Sequence, residues 1–121
     1  MTLKDFYSKL GDDYNDVLVR LISEERIEHF VIRFLDDNSF DSLYESLKNK
    51  DYSKAFNSAH NLKGIAQNLG FGHLAEAADE ISNVLRQQDQ NGYIAAYSLI
   101  NKVAYEYRKT ISAINLLKSD K

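Results

Sequence analysis

The chain has no cysteine, no proline and no tryptophan, and only five glycines among its 121 residues. Without cysteine there can be no disulfide, thiolate metal site or cysteine nucleophile. Without proline, and with so little glycine, long uninterrupted helices are favoured over a turn-rich β architecture. No apolar run approaches the roughly 20 residues that span a bilayer, and the N-terminus lacks the apolar core of a signal peptide. A cytoplasmic domain is the default expectation, free-standing or as one segment of a longer, membrane-bound chain. A strong charge of one sign is missing too. The formal net charge of −3 gives no general reason to expect nucleic acid or an anionic membrane as a partner.

What is present is ordinary globular usage, 44% hydrophobic and 27% charged, in a length suited to one helical core. A single domain over residues 1–121 is therefore expected. Apolar residues recur at spacings of three and four throughout, with no strand alternation, repeat or internal linker. Thr2 to Leu10 forms a short helix with Leu3, Phe6, Tyr7 and Leu10 on one side and Gly11 ending it. Asp12 or Asp13 caps the next, which carries Tyr14, Val17, Leu18, Leu21 and Ile22. Ser23 caps a third, whose core face is Ile27, Phe30, Val31, Phe34 and Leu35, with His29 on its charged flank. After the polar break at residues 36–39, Ser39 caps a short helix through Phe40, Leu43, Tyr44 and Leu47.

Asp51 then caps a central helix from about Tyr52 to Leu69, and Gly70 suits the left-handed position beyond its end. A tight connection at Phe71-Gly72 turns the chain into a helix from about His73 to Gln88, with Leu74, Ala77, Ala78, Ile81, Val84 and Leu85 inward. A last helix, about Gly92 to Leu117, carries Tyr93, Tyr97, Ile100, Ala104, Tyr107, Ile111 and Ile114, while Tyr105 points away from that seam. The expected fold is all-α: an antiparallel up-down-up-down four-helix bundle with short N-terminal lead-in helices. The lead-in helices occupy about 2–50, the central pair about 52–89 and the C-terminal helix about 92–117.

The chemistry is concentrated in Ala59-His60-Asn61-Leu62-Lys63-Gly64, on the central helix. At roughly 100° per residue, Tyr52, Ala55, Phe56, Ala59, Leu62, Ala66 and Leu69 form one apolar arc, and Lys54, Asn61 and Asn68 the solvated side. His60 falls on the rim between them, with Gly64 and Gln67 on its flank. Neighbouring side chains can orient its ring there while one edge stays open. The stem of Lys63 lies against the bundle and its ammonium can snorkel out beside His60. Gly64 costs a helix interior about 1 kcal/mol relative to alanine. Two offsets are open: the glycine admits another surface to the histidine, or it lets a neighbouring helix or aromatic of the same fold pack closer.

This run, followed by Asn68-Leu69-Gly70-Phe71 and Leu74, resembles the histidine-containing phosphotransfer (HPt) domain family. Its members carry His-x-x-Lys-Gly on a four-helix bundle with a Leu-Gly turn one helical stretch later. The resemblance implies that His60 accepts a phosphoryl group from a receiver-domain aspartate and passes it on or back. Lys63 then balances the phosphate charge, and Gly64 gives the partner access. On the facing helix, Ser82 stands where the family often has a glutamine that orients the imidazole. A hydroxyl is shorter, so a water would bridge Ser82 to His60. Gln67, Ala75, Asp79, Ser82 and Arg86 would form the docking rim. The implied partners are receiver domains of response regulators or of a hybrid sensor histidine kinase, with Mg²⁺ in the receiver and no cofactor or metal of this chain's own. The chain itself would be a monomeric carrier rather than an enzyme.

The chemistry agrees with that reading. An imidazole of unperturbed pKa about 6.5 offers a nucleophilic nitrogen near neutrality. No Walker-type glycine-rich loop is present to cradle a nucleotide, which argues against ATP use. Three other readings compete. One is a helical adaptor that binds a receiver or another partner without being phosphorylated. A second is a metal or oxidoreductase bundle, for which His29, His60 and His73 lack paired ligand spacing and no Glu-x-x-His occurs. The third is a plain helical adaptor or dimerisation module, with Tyr93, Tyr97, Tyr105 and Tyr107 of the last helix as its sticky face, although core packing is the expected job of Tyr93, Tyr97 and Tyr107.

Overall fold

Polar capping residues cut the chain into helices, and the aromatic residues between them decide how those helices are gathered. The computed structural model describes residues 1–120. It contains α1 (Leu3–Leu10), α2 (Tyr14–Leu21), α3 (Glu24–Arg33), α4 (Ser39–Lys48), α5 (Tyr52–Asn68), α6 (Gly72–Arg86) and α7 (Gln90–Ser119), with a 3₁₀ turn at Phe34–Asp36. No strand occurs among the described residues. The protein is all-α.

Most helix starts lie where the sequence places them. Thr2 and Asp5 form a reciprocal capping box on α1, and Asp13, Ser23 and Asp51 cap α2, α3 and α5. Gly11 and Gly70 take the left-handed conformation, with φ of 76° and 75°. At Gly70 space is limiting too: a Cβ would lie 2.9 Å from Val17 Cβ. Two boundaries differ from expectation. Ser39 is the first residue of α4 rather than its cap; Asn38 holds the cap position without a side-chain bond, and Asp37 accepts from Ser39 N at 3.0 Å. The helix α6 stops at Arg86 because Gln88 turns to a positive φ, and α7 starts at Gln90 under an Asp89 cap.

The core is built on α5, whose Ala55, Ala59, Leu62 and Ala66 are fully buried. Across from it, α6 buries Leu74, Ala75, Ala77, Ala78, Ile81 and Leu85. The many alanines let helix axes approach closely. Lys63 meets Asp79 near the connecting turn, and Phe56 meets Arg86 farther from it. Only antiparallel helices give that pairing. In the same way Leu47 meets Tyr97, and Phe40 stacks on Tyr107, between α4 and α7. With 30 residues, α7 is about 45 Å long and reaches α1, α3, α4 and α6.

The turn between α5 and α6 is locked from outside. Phe71 is fully buried, with the rings of Phe6 and Phe34 edge-on to it at 6.0 and 5.4 Å. Tyr7, also fully buried, donates its hydroxyl to the Leu69 carbonyl at 2.6 Å. Burial pushes the Tyr7 phenol well above the usual tyrosine range. The lead-in helices therefore hold one end of the helix pair, and the stacked rings of Tyr52 and Tyr93, 3.8 Å apart, hold the other.

Three apolar residues assigned inward by periodicity are open to solvent: Ile22 (75% exposed), Phe30 (41%) and Tyr97 (42%). Ile22 lies past the end of α2 with φ of 72°, which turns its side chain off the helix face. Phe30 rims a groove with Arg26, Arg33 and Asn68 rather than entering the core. Tyr97 reaches along the rim to donate to the Leu47 carbonyl. Tyr105 is exposed, as its position off the seam requires.

Candidate functional site

His60 is exposed on α5, two residues before the buried Leu62. One turn earlier, the ring of Phe56 lies almost parallel to the imidazole, with 6.0 Å between centroids and 20° between planes. Phe56 is half-buried and packs against the core, so it offers the exposed imidazole a fixed surface. The guanidinium of Arg86, on α6, sits 5.6 Å from the centroid of the Phe56 ring, within cation–π range.

From Arg86 a line of polar contacts leads back to Lys63. Arg86 donates to Asn83 Oδ1 at 3.2 Å, and Asn83 donates to Asp79 Oδ2 at 3.4 Å. The Lys63 ammonium pairs with Asp79 Oδ1 at 2.8 Å. That bond to Lys63 is the chief reason the Asp79 carboxyl is held below the usual carboxylate range. Both ends of the line, Phe56 and Lys63, lie within one turn of His60. The Lys63 ammonium and the Arg86 guanidinium thus lie at the two ends of this line, with the Asp79 carboxylate of the facing helix between them.

Gly64 is exposed, and a Cβ placed there would find nothing among the described residues within 4 Å. The glycine does not make room for a neighbouring helix or aromatic of this fold. Gly92 shows the contrast: its Cβ would collide with the Val84 carbonyl, so there the missing side chain lets α7 close on α6. The space beside His60 is open to the outside.

Gln67 is exposed on the same flank, and its main-chain carbonyl accepts from Arg20 at 2.8 Å. Lys63, Gln67 and Asp79 line a groove with Arg20 and Asp16. Two residues expected on the docking rim are not on the surface. Ala75 also borders this groove but is buried (5% exposed), packed in the α5–α6 seam. Ser82 is fully buried, and its hydroxyl has no hydrogen-bond partner among the described residues. Neither a direct nor a water-bridged bond from Ser82 to an exposed His60 fits that environment. Residues 75, 78, 82 and 85 share the inward stripe of α6, whereas Asp79, Asn83 and Arg86 share the stripe facing the site. The ring on which His60 rests belongs to its own helix.

The other histidines are elsewhere. His29 is exposed and edge-on to Phe30. Asp12 accepts from the His73 main-chain N at 3.3 Å, and its carboxylate lies 2.8 Å from His73 Nδ1, which ties the α1–α2 loop to the start of α6. No group of three metal-ligating side chains occurs among the described residues. Sequence reasoning passed over Asn83 and Arg20. Asn83 was legible, since Asp79 and Arg86 stand at i−4 and i+3 from it. Arg20 reaches the end of α5 from another helix, and no local pattern signals that.

The family model for the Hpt domain matches residues 31–113, which spans α4, α5, α6 and most of α7. The chain belongs to the Hpt domain family. Membership associates it with histidine phosphotransfer in two-component phosphorelays, where such domains are carriers rather than kinases. Neither the curated proteins nor the solved structures gave a match. No helix among the described residues is long and apolar enough to cross a membrane.

Proposed function

We propose that His60 is the phosphoryl carrier of this chain, taking the group from a receiver-domain aspartate and handing it to another receiver or back. An imidazole nitrogen attacks the phosphorus of the aspartyl phosphate. The P–O bond breaks as the P–N bond forms, the aspartate leaves as carboxylate, and the proton on the other ring nitrogen passes to solvent. Such transfers need alignment and charge balance more than covalent help from the protein. Phe56 supplies the alignment. Lys63 supplies charge balance for a group bringing roughly two negative charges. The acidic pocket and its Mg²⁺ belong to the receiver, and no kinase step belongs to this chain.

The observation that carries this reading is the pairing of an exposed His60 with a Gly64 that no described residue of this fold requires. A helix that leaves such a gap beside a histidine is suited to the approach of a second protein. The docking rim then comprises Gly64, Gln67, Asp79 and Arg86, without Ala75 and Ser82. It extends over Asn68 and Arg20 toward the exposed Phe30, where Arg26 and Arg33 would meet an acidic partner. Contacts of this kind are small and transient, in keeping with a monomeric cytoplasmic relay protein.

The test is incubation with phosphorylated receiver domains. Acid-labile, alkali-stable phosphate should appear on the wild type and vanish in His60→Gln. A protein that binds a receiver with His60 unlabelled would be the adaptor instead. Transfer from no receiver of the source organism would overturn the relay reading.

A further inference from the structure

The lysine expected to serve the phosphoryl group is already engaged. Its ammonium lies 2.8 Å from Asp79 Oδ1, with the Lys63 side chain 26% exposed and that of Asp79 40% exposed. Asp79 is itself steadied, accepting from Asn83, which in turn accepts from Arg86. A pair this open to water is reversible: exposed ion pairs contribute little, and either partner can exchange for another ion. An arriving phosphoryl group on His60 is such an ion, one turn from Lys63 on the same helix face.

Resting on the phosphocarrier reading above, we propose that Asp79 is a positioning residue that engages Lys63 before phosphorylation and competes for it afterwards. Phospho-His60 then receives only part of the lysine's charge, and the carrier holds its cargo less tightly than the His-Lys pair alone would. For a relay this is an advantage. A carrier that binds the phosphoryl group too well does not release it, and the share of Lys63 left with Asp79 sets that balance. Arg86 and Asn83 act one step further out, by keeping the carboxylate in place.

The experiment is a double-mutant cycle on Asp79→Asn and Lys63→Gln, read as the phosphorylation equilibrium of His60 with phosphoramidate and ammonium at fixed ratio. In that exchange the donor's P–N bond breaks, a new P–N bond to imidazole forms, and ammonia leaves with the proton the ring gives up. No receiver is needed. Asp79→Asn should shift the equilibrium toward phospho-His60, by up to about fivefold for a pair of this exposure, and Asp79→Glu should restore the wild-type value. In the Lys63→Gln background the shift should shrink clearly, because there is no lysine to compete for. An equal shift in both backgrounds would mean that Asp79 merely repels the phosphate, and would overturn the proposal, as would no shift at all.

A second measurement needs no phosphorylation. The Asp79 carboxyl, followed by carbon NMR in the unmodified protein, should titrate higher in Lys63→Gln than in the wild type. If it does not move, the engagement itself is refuted. If it moves, but neither phosphoramidate nor any receiver labels wild-type His60, the phosphocarrier reading fails, and the competition proposed for Lys63 fails with it.

Discussion

The rings of Phe56 and His60, one helical turn apart, lie within 20° of parallel with their centroids 6.0 Å apart. Phe56 is half-buried and held against the core, and His60 is not, so order passes from the first to the second. Phe56→Leu keeps an apolar side chain in the seam but removes the flat surface under the imidazole. Phosphoryl acceptance should slow by about tenfold or less, the penalty of a less well-aligned nucleophile, while thermal unfolding moves little. Single-turnover transfer beside a melting curve checks this, and an unchanged rate would assign the orientation of His60 to something else.

Ser82 carries a buried hydroxyl with no partner among the described residues. Removing an unsatisfied buried polar atom relieves its desolvation penalty, so Ser82→Ala should stabilise the fold by about 1 kcal/mol with transfer unaffected. A serine that oriented His60 would behave oppositely: the alanine variant would fold normally and transfer slowly. Denaturant unfolding and transfer rate, measured together, decide between them.

Gly64 faces open space. Gly64→Ala should add roughly 0.5–1 kcal/mol of stability through helix propensity alone, and yet slow transfer to a receiver. Gly64→Gln should slow it further without unfolding the domain. Normal transfer by Gly64→Gln would remove the argument for close approach.

Alkaline pH should loosen the turn that follows the site. Tyr7 has its pKa raised by burial, and Tyr14 and Tyr97 are pushed up to about 12. For Tyr14 the first cause is again burial, and for Tyr97 it is the hydrogen bond with Tyr52. A raised phenol pKa means the folded state favours the neutral form. That stability is whole below the unfolded tyrosine pKa of about 10 and is lost as pH rises through the folded values. Helicity by circular dichroism should therefore hold to about pH 10 and fall above it, with tyrosinate absorbance rising in step. Tyr7→Phe should blunt that loss at the expense of the bond to Leu69.

What was legible in the sequence was whatever a single helix decides. His60, Lys63 and Gly64 share one helix, so helical spacing alone fixed their relation. Gly11, Gly70 and the caps at Asp13, Ser23 and Asp51 rest on local backbone chemistry and were equally readable. The misread positions are those decided by a second element or by the backbone at a helix end. Ser82 was placed on the site side of α6, but the rotation of α6 against α5 turns that stripe inward and presents Asp79, Asn83 and Arg86 instead. Phe30 reads as core because periodicity cannot say which face of a short helix is left uncovered, and Ile22 because the apolar spacing runs one residue past the point where α2 ends. Ser39 is an able cap, but the loop starts α4 one residue earlier, with Asn38 in the cap position and Asp37 bonded to Ser39 N.

The empty space beside Gly64 has a bearing on how this protein would respond to selection. A population screened for survival at high temperature would gain by filling position 64, since none of the described residues lies within 4 Å of a Cβ placed there. A population screened for signalling would resist every such change. The two regimes would rank the same substitutions in opposite order at this one helical position, though not at Gly70 or Gly92, where the fold itself forbids the larger side chain.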